Sequence, residues 1–449
     1  MGHTPSNERR RVLLLAYACG PGRGSEPGVD LHRALQTAKR YDTWVIWEGY
    51  WQESISRWLE EHGPVPGLHF VFVPHTRMEL ALRRLPGCYY HVLRQWQRRA
   101  FNEARQLHEE HRFDLVHQLT LCTFRETGYG WKLDAPFVWG PLGGTQNYPA
   151  SFLSHAGLLG AVSESLRRIA NGLQLRFSPR VRAALRRADV LLVANSTTHE
   201  HIRLAHGRDA RLMVETGIDA QSVPAQREAN AESSHHAPRP LRILWSGVME
   251  HRKALHVLLR ALHEIPADVP YELRILGKGP LEARWRKLAR NLGVDRHCHW
   301  LGWVAHDKVA DQYAWADAFA FTSLRDTMGT VVLEALCHGL PVVCFDHQGA
   351  GDVVDGTCGV KVSPDDPEAA IAAFRDAIVA LHSDRSWLAE LSRGARWRGQ
   401  QFTWDRQGER MARVYEELLS PYAESASETP GVPALPRSDL SAPVVEATP

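Results

Sequence analysis

Short apolar runs that alternate with amphipathic helical segments constrain this 449-residue chain more than any other feature of its sequence. Each run has the length of a buried strand, and runs of this kind occur at 12–17, 44–47, 69–73, 114–117, 137–139 and 189–194. Segments with helical spacing lie between most of them, as at 51–62 and 89–111. Strands that alternate with helices form βαβ units, so we expect parallel sheets.

A polar segment rich in Ala, Ser and Pro divides this pattern into two halves of similar size. It lacks apolar periodicity, and the alternation of strands and helices restarts after it. We therefore predict an N-terminal domain at 10–220, a linker at 221–240, a C-terminal domain at 241–400, a final amphipathic helix at 401–422 and a disordered tail at 423–449.

Composition and charge argue against several classes of function. Lys and Arg total 53 and Asp and Glu total 51, so the formal net charge of +2 gives no reason to expect a nucleic acid partner. The 7 cysteines lack C-x-x-C spacing and the 24 histidines form no H-E-x-x-H pattern, so we expect neither a disulfide framework nor a metal site. The polar N-terminus lacks a signal-peptide core, and we expect a cytoplasmic protein.

The most specific chemical pattern lies at 323–343. A predicted strand ends just before it, and a turn around Gly329 and Thr330 opens a helix whose free N–H groups and positive dipole end favour an anion. Asp326 precedes this turn, and Glu334 follows Gly329 by about one and a half helical turns. A carboxylate at that place can accept hydrogen bonds from vicinal hydroxyls such as those of a ribose. A solvated helix-surface acid is the alternative interpretation for Glu334.

A second anion-binding pattern follows the first strand of the C-terminal half. A short loop after Gly247 carries Arg252 and Lys253 directly before an apolar helix. Cations are electrostatically unfavourable at a helix N-terminus, so a bound diphosphate explains them better than surface placement. Gly277, in a Gly-Lys-Gly-Pro turn, marks another connection from a strand to a helix.

The N-terminal half carries weaker patterns. The loop after the first strand contains Gly20, Gly22 and Gly24, a spacing that does not match the dinucleotide fingerprint, so we do not expect NAD. His117 ends a predicted strand, where a side chain at the carboxyl edge of a parallel sheet faces the crevice that binds ligands. A capped surface or core histidine is the alternative.

In their order and spacing, the C-terminal motifs resemble those of the retaining family 4 glycosyltransferases, which have the GT-B fold. The resemblance covers residues 241 to about 419: strand–Gly–Arg-Lys–helix, Gly-x-Gly-Pro, Leu-Gly-Trp, and the two-carboxylate segment that runs into Gly-Leu-Pro-Val-Val. It implies two Rossmann-like α/β domains that face each other across a cleft. It also implies transfer of a hexosyl group, with retention, from a nucleoside diphosphate sugar to an acceptor hydroxyl in polysaccharide or glycolipid assembly.

The resemblance also implies roles for individual residues. Arg252 and Lys253 would contact the diphosphate, Glu334 the ribose, and Asp326 the transferred sugar. The backbone near Trp303 would meet the base. The implied catalytic residues are His117, Asp326 and Glu334, and the implied donor-binding residues are Gly22, Gly24, Arg252, Lys253, Gly277, Trp303, Gly329, Thr330 and Glu334. No cofactor is implied beyond the nucleotide-sugar substrate.

Two positions depart from the family pattern. The family usually has Glu where this chain has Asp326, and many members have Arg where this chain has Val248. Only the Arg252–Lys253 pair therefore remains for the diphosphate. These departures are the support for one alternative, a nucleotide-sugar-binding scaffold without catalytic activity. The other alternative is a sugar-nucleotide 2-epimerase, an enzyme of the same two-domain architecture.

Two arginine-rich segments, 77–99 and 167–187, lie in the first half of the chain. Solvated helix faces explain them without any partner. Because the first segment mixes arginines with Leu, Tyr and Trp, contact with an anionic membrane surface is the second interpretation. The lipid-linked acceptors that many family members use fit this second interpretation, which would place the protein peripherally at the inner face of the membrane.

Overall fold

The structure, a computed structural model, describes residues 9–21, 26–85, 87–219 and 239–420. Gly22 and Gly24 of the predicted donor loop lie outside the described residues, as do residues 221–238 of the predicted linker and the whole predicted tail.

The described strands run in chain order as β1 (Arg11–Leu15), β2 (Asp42–Glu48), β3 (Leu68–Val73), β4 (Leu115–Gln118), β5 (Phe137–Leu142), β6 (Val190–Val193), β7 (Arg211–Leu212), β8 (Leu241–Ser246), β9 (Tyr271–Leu276), β10 (Cys298–Gly302), β11 (Ala318–Phe321), β12 (Val342–Phe345) and β13 (Gly359–Val362). The described α-helices are α1 (Glu26–Ala38), α2 (Gln52–His62), α3 (Arg77–Arg83), α4 (Tyr89–His111), α5 (Gly157–Phe177), α6 (Pro179–Arg187), α7 (Ser196–His206), α8 (Leu255–His263), α9 (Glu282–Asn291), α10 (His306–Trp315), α11 (Thr330–Cys337), α12 (Gln348–Val353), α13 (Pro367–Ser383), α14 (Arg385–Gln400) and α15 (Trp404–Leu419).

The strands form two parallel sheets with the same winding. The first has the order β3-β2-β1-β4-β5-β6-β7 and the second the order β10-β9-β8-β11-β12-β13. In each sheet the chain first adds strands on one side of the first strand and then crosses to the other side. This reversal lies between β1 and β4 in the first sheet and between β8 and β11 in the second. The carboxyl ends of parallel strands at such a reversal form the crevice where α/β proteins bind ligands. The predicted architecture of two Rossmann-like domains is confirmed.

Strand β1 shows why the apolar runs fold in this way. Leu13 and Leu15 pack into one hydrophobic cluster, while Val12 and Leu14 pack into another on the opposite side of the sheet. Side chains alternate along a strand, so a strand covered on both faces must be apolar at every position. Each buried leucine contributes about 1.5–3 kcal/mol.

Helix α15 returns from the second domain to the first. Its residues Met411, Val414 and Tyr415 join the cluster that contains Leu14. Its N-terminal Asp405 forms an ion pair of 2.7 Å with Lys39 of the first domain. The last described helix therefore covers one face of the N-terminal sheet.

The segment before α5 packs into the second domain. Tyr148, Phe152 and Ala156 belong to the core cluster of the C-terminal domain. The Phe152 ring meets Phe345 edge-on at 5.5 Å between centroids, and Ser151 Oγ donates a 2.8 Å hydrogen bond to the Pro364 carbonyl. A hydrophobic contact thus joins the two domains beside the cleft.

Two further features concern the helices and the cysteines. Among the described helices, none combines the length and the apolar character that a bilayer span requires. The cysteines are all described, and none is in a disulfide.

Candidate active site

The loops that follow β8 and β11 are tied together by hydrogen bonds. Leu324 N donates to the Arg252 carbonyl at 2.8 Å, and Thr322 Oγ1 donates to the Lys253 carbonyl at 2.7 Å. Trp245, on β8, donates from Nε1 to Thr322 Oγ1 at 3.0 Å. These bonds hold the predicted diphosphate-binding cations at the switch point of the second sheet.

Asp326 receives both of these cations. The Lys253 ammonium contacts Asp326 Oδ2, and Arg252 Nη1 lies 3.6 Å from the same oxygen. Burial raises the pKa of the Asp326 carboxyl, but the Lys253 and Arg252 charges outweigh it and lower the pKa below its ordinary value. The carboxylate is therefore ionised at neutral pH. Arg252 Nε also lies 3.0 Å from Glu250, so both cations are paired with acidic side chains.

Helix α11 begins directly beside this cluster. Gly329 precedes it with φ 79°, and a Cβ there would lie 2.6 Å from the Phe321 ring. Only glycine therefore fits this left-handed turn without displacing the Phe321 side chain. Within the described residues, no side chain caps the helix N-terminus, which starts at Thr330. Its first backbone N–H groups are available to an anion.

Glu334 is positioned by a buried tyrosine. The Tyr313 hydroxyl donates a 2.7 Å hydrogen bond to Glu334 Oε2. Tyr313 is 1% exposed, and burial raises its pKa, with the Glu334 charge adding to the effect. The tyrosine therefore stays a donor, while the half-buried carboxylate keeps lone pairs for a second partner.

Gly277 and Trp303 lie on the other side of β8. Gly277 has φ 110°, and a Cβ there would be 2.1 Å from the Gly247 carbonyl oxygen, so only glycine allows these two strand ends to touch. Trp303 follows β10, and its side chain is 80% exposed. Three strand spacings separate β10 from β11, so Trp303 lies about 14 Å from the Asp326 end of the sheet.

His117 lies in the interior of the N-terminal domain, and this corrects our expectation of a catalytic histidine in the cleft. It is 0% exposed. The Tyr415 hydroxyl lies 2.5 Å from its Nδ1, and the Gly140 carbonyl lies 2.7 Å from its Nε2. Burial lowers the pKa of His117 to about 3, although the Gly140 bond raises it, so the ring is neutral.

The register of β4 explains the error. The strand continues through Gln118, so His117 lies within it rather than after it. His117 pairs with Leu14 and shares with Leu115 the sheet face that packs against α15. The Nδ1 contact to Tyr415 joins the sheet to this helix, and the Nε2 contact to Gly140 joins β4 to β5.

Sequence reasoning missed a carboxylate that joins the two domains. Glu164, on α5, accepts two 3.0 Å hydrogen bonds from Arg325 and lies 2.8 Å from His251 Nε2. Its side chain is 3% exposed. Burial raises the pKa of Glu164, but its bonds to His251 and Arg325 outweigh this and lower the pKa to about 2. Arg325 and His251 directly precede the predicted site residues Asp326 and Arg252.

A second group of interdomain contacts meets the loop before α11. Asn195 Nδ2 donates to the Thr327 carbonyl at 2.9 Å. Gln348 accepts from Asp326 N at 2.7 Å and donates to the Asn147 carbonyl at 3.2 Å. Hydrogen bonds from the N-terminal domain thus hold the loop that carries Asp326, directly through Asn195 and indirectly through Gln348.

Several arginines of the two basic segments form ion pairs within the protein. Arg94 and Arg180 lie 3.0 Å and 3.6 Å from the buried Glu126. Arg99 lies 2.5 Å from Glu79. These arginines stabilise the N-terminal domain. In the part of the chain that the structure describes, no group of His, Cys, Asp or Glu side chains is arranged to hold a metal ion.

Residues 240–384 match the family described as "Glycosyl transferases group 1". The GDP-mannose-dependent alpha-(1-6)-phosphatidylinositol monomannoside mannosyltransferase of Mycolicibacterium smegmatis is 30% identical over 54% of this chain and 66% of its own length. The D-rhamnosyltransferase WbpZ of Pseudomonas aeruginosa is 32% identical over 43% of this chain and 50% of its own length. This chain thus spans between half and two thirds of the length of these relatives.

A solved structure extends the likeness over both domains. HepE of Anabaena, in complex with UDP, has a TM-score of 0.60 at 17% identity and covers 91% of this chain and 100% of its own. The chain therefore has the GT-B fold.

Proposed function

We propose that this protein is a glycosyltransferase that moves a hexosyl group from a nucleoside diphosphate sugar to an acceptor hydroxyl, with retention, in polysaccharide or glycolipid assembly. The observation that carries the proposal is the convergence of Arg252, Lys253 and Asp326 beside the uncapped N-terminus of α11. The matched family and the transferase names of the curated relatives support it, and they favour transfer over 2-epimerisation.

Donor binding would proceed by exchange of ionic partners. Arg252 and Lys253 are paired with Glu250 and Asp326. A donor diphosphate carries more charge than one carboxylate, and the α11 N-terminus adds N–H donors to it. We infer that the diphosphate takes these cations and that the released Asp326 carboxylate accepts hydrogen bonds from hydroxyls of the transferred sugar.

The same groups would stabilise the reaction's charge separation. As the bond from the sugar to phosphate breaks, positive charge develops on the sugar ring and negative charge on the leaving diphosphate. Lys253, Arg252 and the α11 dipole lie where that negative charge grows. The departing phosphate oxygen would take the acceptor's hydroxyl proton. We propose that these cations and amides serve without a divalent metal.

The outer face of α5 supports the proposed membrane contact. Apart from the buried Leu175, its large apolar side chains are more than half exposed: Leu158, Leu159, Val162, Leu166, Ile169, Leu173 and Phe177. Glu164 is the only acidic residue of α5, and it faces inward, while Arg176 follows the outer face at its end. An apolar face bordered by arginines is complementary to an anionic bilayer. We therefore propose α5, more than the ion-paired arginines of 77–99, as the membrane-binding element.

Product analysis tests the function directly. The protein is incubated with a panel of nucleoside diphosphate sugars, with and without a bacterial lipid extract, and nucleotide release and sugar incorporation are measured. Transfer predicts nucleotide release that depends on acceptor and matches incorporation. Interconversion of the donor sugar without incorporation would identify an epimerase, and tight nucleotide binding without either product would identify a scaffold.

A further inference from the structure

The inner face of α5 carries polar side chains that point into the cleft region. Glu164, Arg167, Asn171 and Gln174 follow one another at spacings of three or four residues, so they lie along one side of the helix. Apart from Leu175, which is buried on the inner side, the large apolar side chains of α5 are exposed on the opposite side. The helix therefore turns its polar side toward the protein.

Two arginines from different domains reach this inner face. Arg325, from the loop after β11, bonds to Glu164 at 3.0 Å. Arg125, from the loop after β4, donates to Gln174 Oε1 at 2.8 Å and also to Asn171. Arg167 stands between them on the helix, about 4.5 Å of helix rise from Glu164 and about 6 Å from Asn171.

Arg167 lacks a partner for a buried donor. Its Nε is inaccessible to solvent and has no hydrogen-bond partner among the described residues. Burial, followed by the charges of Arg325 and Arg125, lowers the pKa of Arg167 to about 10. The Tyr148 hydroxyl is likewise buried without a partner in the described part of the chain, and burial raises its pKa.

The local charges do not balance. Arg125, Arg167 and Arg325 bring three positive charges together, whereas the nearby Glu164 carboxylate is already shared by Arg325 and His251. Like charges at this separation repel, and an unpaired buried donor is unfavourable by about 1–3 kcal/mol. A multiply charged oxyanion would satisfy both the charges and the free donors.

We propose that Arg125, Arg167 and Arg325 form a subsite for a phosphate group of the acceptor. The inference rests on the proposed function, because it assigns an acceptor class to that reaction. Arg325 is adjacent to Asp326, so the subsite would border the reacting centre from the N-terminal side. The donor diphosphate belongs to the α11 N-terminus and the β8 loop, on the other side of Asp326.

The phosphate could come from a phospholipid or from a soluble phosphomonoester, and both fit three guanidinium groups. The exposed apolar face of the same helix brings a lipid headgroup near the subsite. Two probes separate the sources: sn-glycerol 3-phosphate in solution, and phosphatidylcholine vesicles with or without phosphatidic acid.

Calorimetric titration of the full chain with sn-glycerol 3-phosphate, alone and in saturating nucleoside diphosphate, tests the subsite. We expect binding that persists in the presence of the nucleotide. Arg167→Gln should weaken it by about 10- to 150-fold, the effect of one charge-assisted hydrogen bond, while nucleotide affinity stays within about twofold. The control Arg203→Gln, which removes an exposed arginine of α7 paired with Glu200, should bind like the parent. Displacement by phosphatidic acid vesicles would assign the phosphate to a lipid.

Three results would overturn the subsite. They are absence of binding by the parent, competition between the phosphate probe and the nucleotide, and parental affinity in a folded Arg167→Gln protein. Arg167→Lys, which keeps the charge, should bind between the parent and Arg167→Gln. Phosphate binding by a protein that transfers no sugar from any donor would leave the subsite intact and refute the proposed function instead.

Discussion

The two domains have sheets of the same winding but contribute to the cleft in different ways. In the C-terminal domain, the site residues lie on loops that directly follow β8 and β11, and these loops bond to each other. In the N-terminal domain, the predicted His117 is buried beneath α15. The groups that reach the cleft come instead from α5 and from Arg125.

This difference shows what ties function to local sequence. A residue on a loop at a switch point lies at the crevice because the strand before it ends there, and this placement depends little on the rest of the fold. A residue on a packed helix reaches the cleft only if the fold turns its face that way. The proposed donor side is therefore encoded locally, and the proposed acceptor side depends on tertiary packing.

The largest effect is expected from Lys253→Ala. Removing one partner of a largely buried ion pair costs about 3–5 kcal/mol, and the same ammonium is proposed to hold the leaving diphosphate. We expect kcat/KM for the donor to fall by at least about 100-fold. Lys361→Ala, which breaks a 2.8 Å pair with Asp346 in the same domain, serves as the control and should stay near the parent. Equal losses in both variants would refute the special role of the β8 loop.

The contribution of Glu164 to the stability of the folded protein should depend on pH. Its folded pKa of about 2 lies below the ordinary 4.5, so the folded state favours the ionised form. This stabilisation, about 3 kcal/mol, is complete above pH 4.5 and lost as the pH falls toward 2. Glu164→Gln should therefore lose stability at neutral pH and show a flatter profile of unfolding midpoint between pH 5 and about 2.

The control for this experiment is Glu200→Gln, which removes an exposed carboxylate paired with Arg203. Its profile should follow the parent much more closely, because exposed pairs contribute little. A parental profile for Glu164→Gln would show that the contact between α5 and the donor loops does not stabilise the fold.

His117→Gln separates structure from catalysis in the N-terminal domain. Loss of the ring's contacts to Tyr415 and Gly140 should destabilise the protein by about 1–3 kcal/mol, measured by urea unfolding. Donor and acceptor kinetics should stay within about twofold below the unfolding transition, since no ring nitrogen faces the cleft. A variant of parental stability that loses turnover would restore His117 as a catalytic residue.

A separate effect, on membrane binding rather than on turnover or stability, concerns the outer face of α5. Replacing both Leu159 and Leu166 by Gln should weaken sedimentation with phosphatidylglycerol vesicles, since each buried leucine contributes about 1.5–3 kcal/mol. Leu204→Gln, at an exposed leucine of α7, is the control and should bind like the parent. The face would instead be assigned to contact with a second copy of the chain if two results were found together. The parent protein would not bind vesicles, and it would form a dimer that the double change disrupts.

The sequence predicted most of the fold because the buried strands are continuous apolar runs. The strands it missed lack that signal. β7 has two residues, both exposed, and β13 carries a lysine, Lys361, in a four-residue strand. Such short edge elements are defined by their pairing with β6 and β12 rather than by their own composition.

The candidate site was predictable in part for the same reason. The motifs predicted Arg252, Lys253, Asp326 and Glu334, and the structure brings the first three together. Glu164 was missed because α5 reverses the usual pattern: its polar side faces the protein, and all of its large apolar residues except Leu175 are exposed. Hydrophobic periodicity alone would have buried the opposite face of the helix.

The most direct test of the donor site is the kinetics of Glu334→Gln. The variant keeps the shape of the side chain and removes the charge proposed to hold the donor ribose. Hydrogen bonds to charged groups are worth about 1.5–3 kcal/mol, so kcat/KM for the donor should fall by about 10- to 150-fold, with a melting curve near that of the parent. Tyr313→Phe, which removes the 2.7 Å bond that positions the carboxylate, should cause a smaller loss. Parental kinetics in a well-folded Glu334→Gln protein would contradict the assignment of the donor site to the C-terminal domain's carboxylate segment.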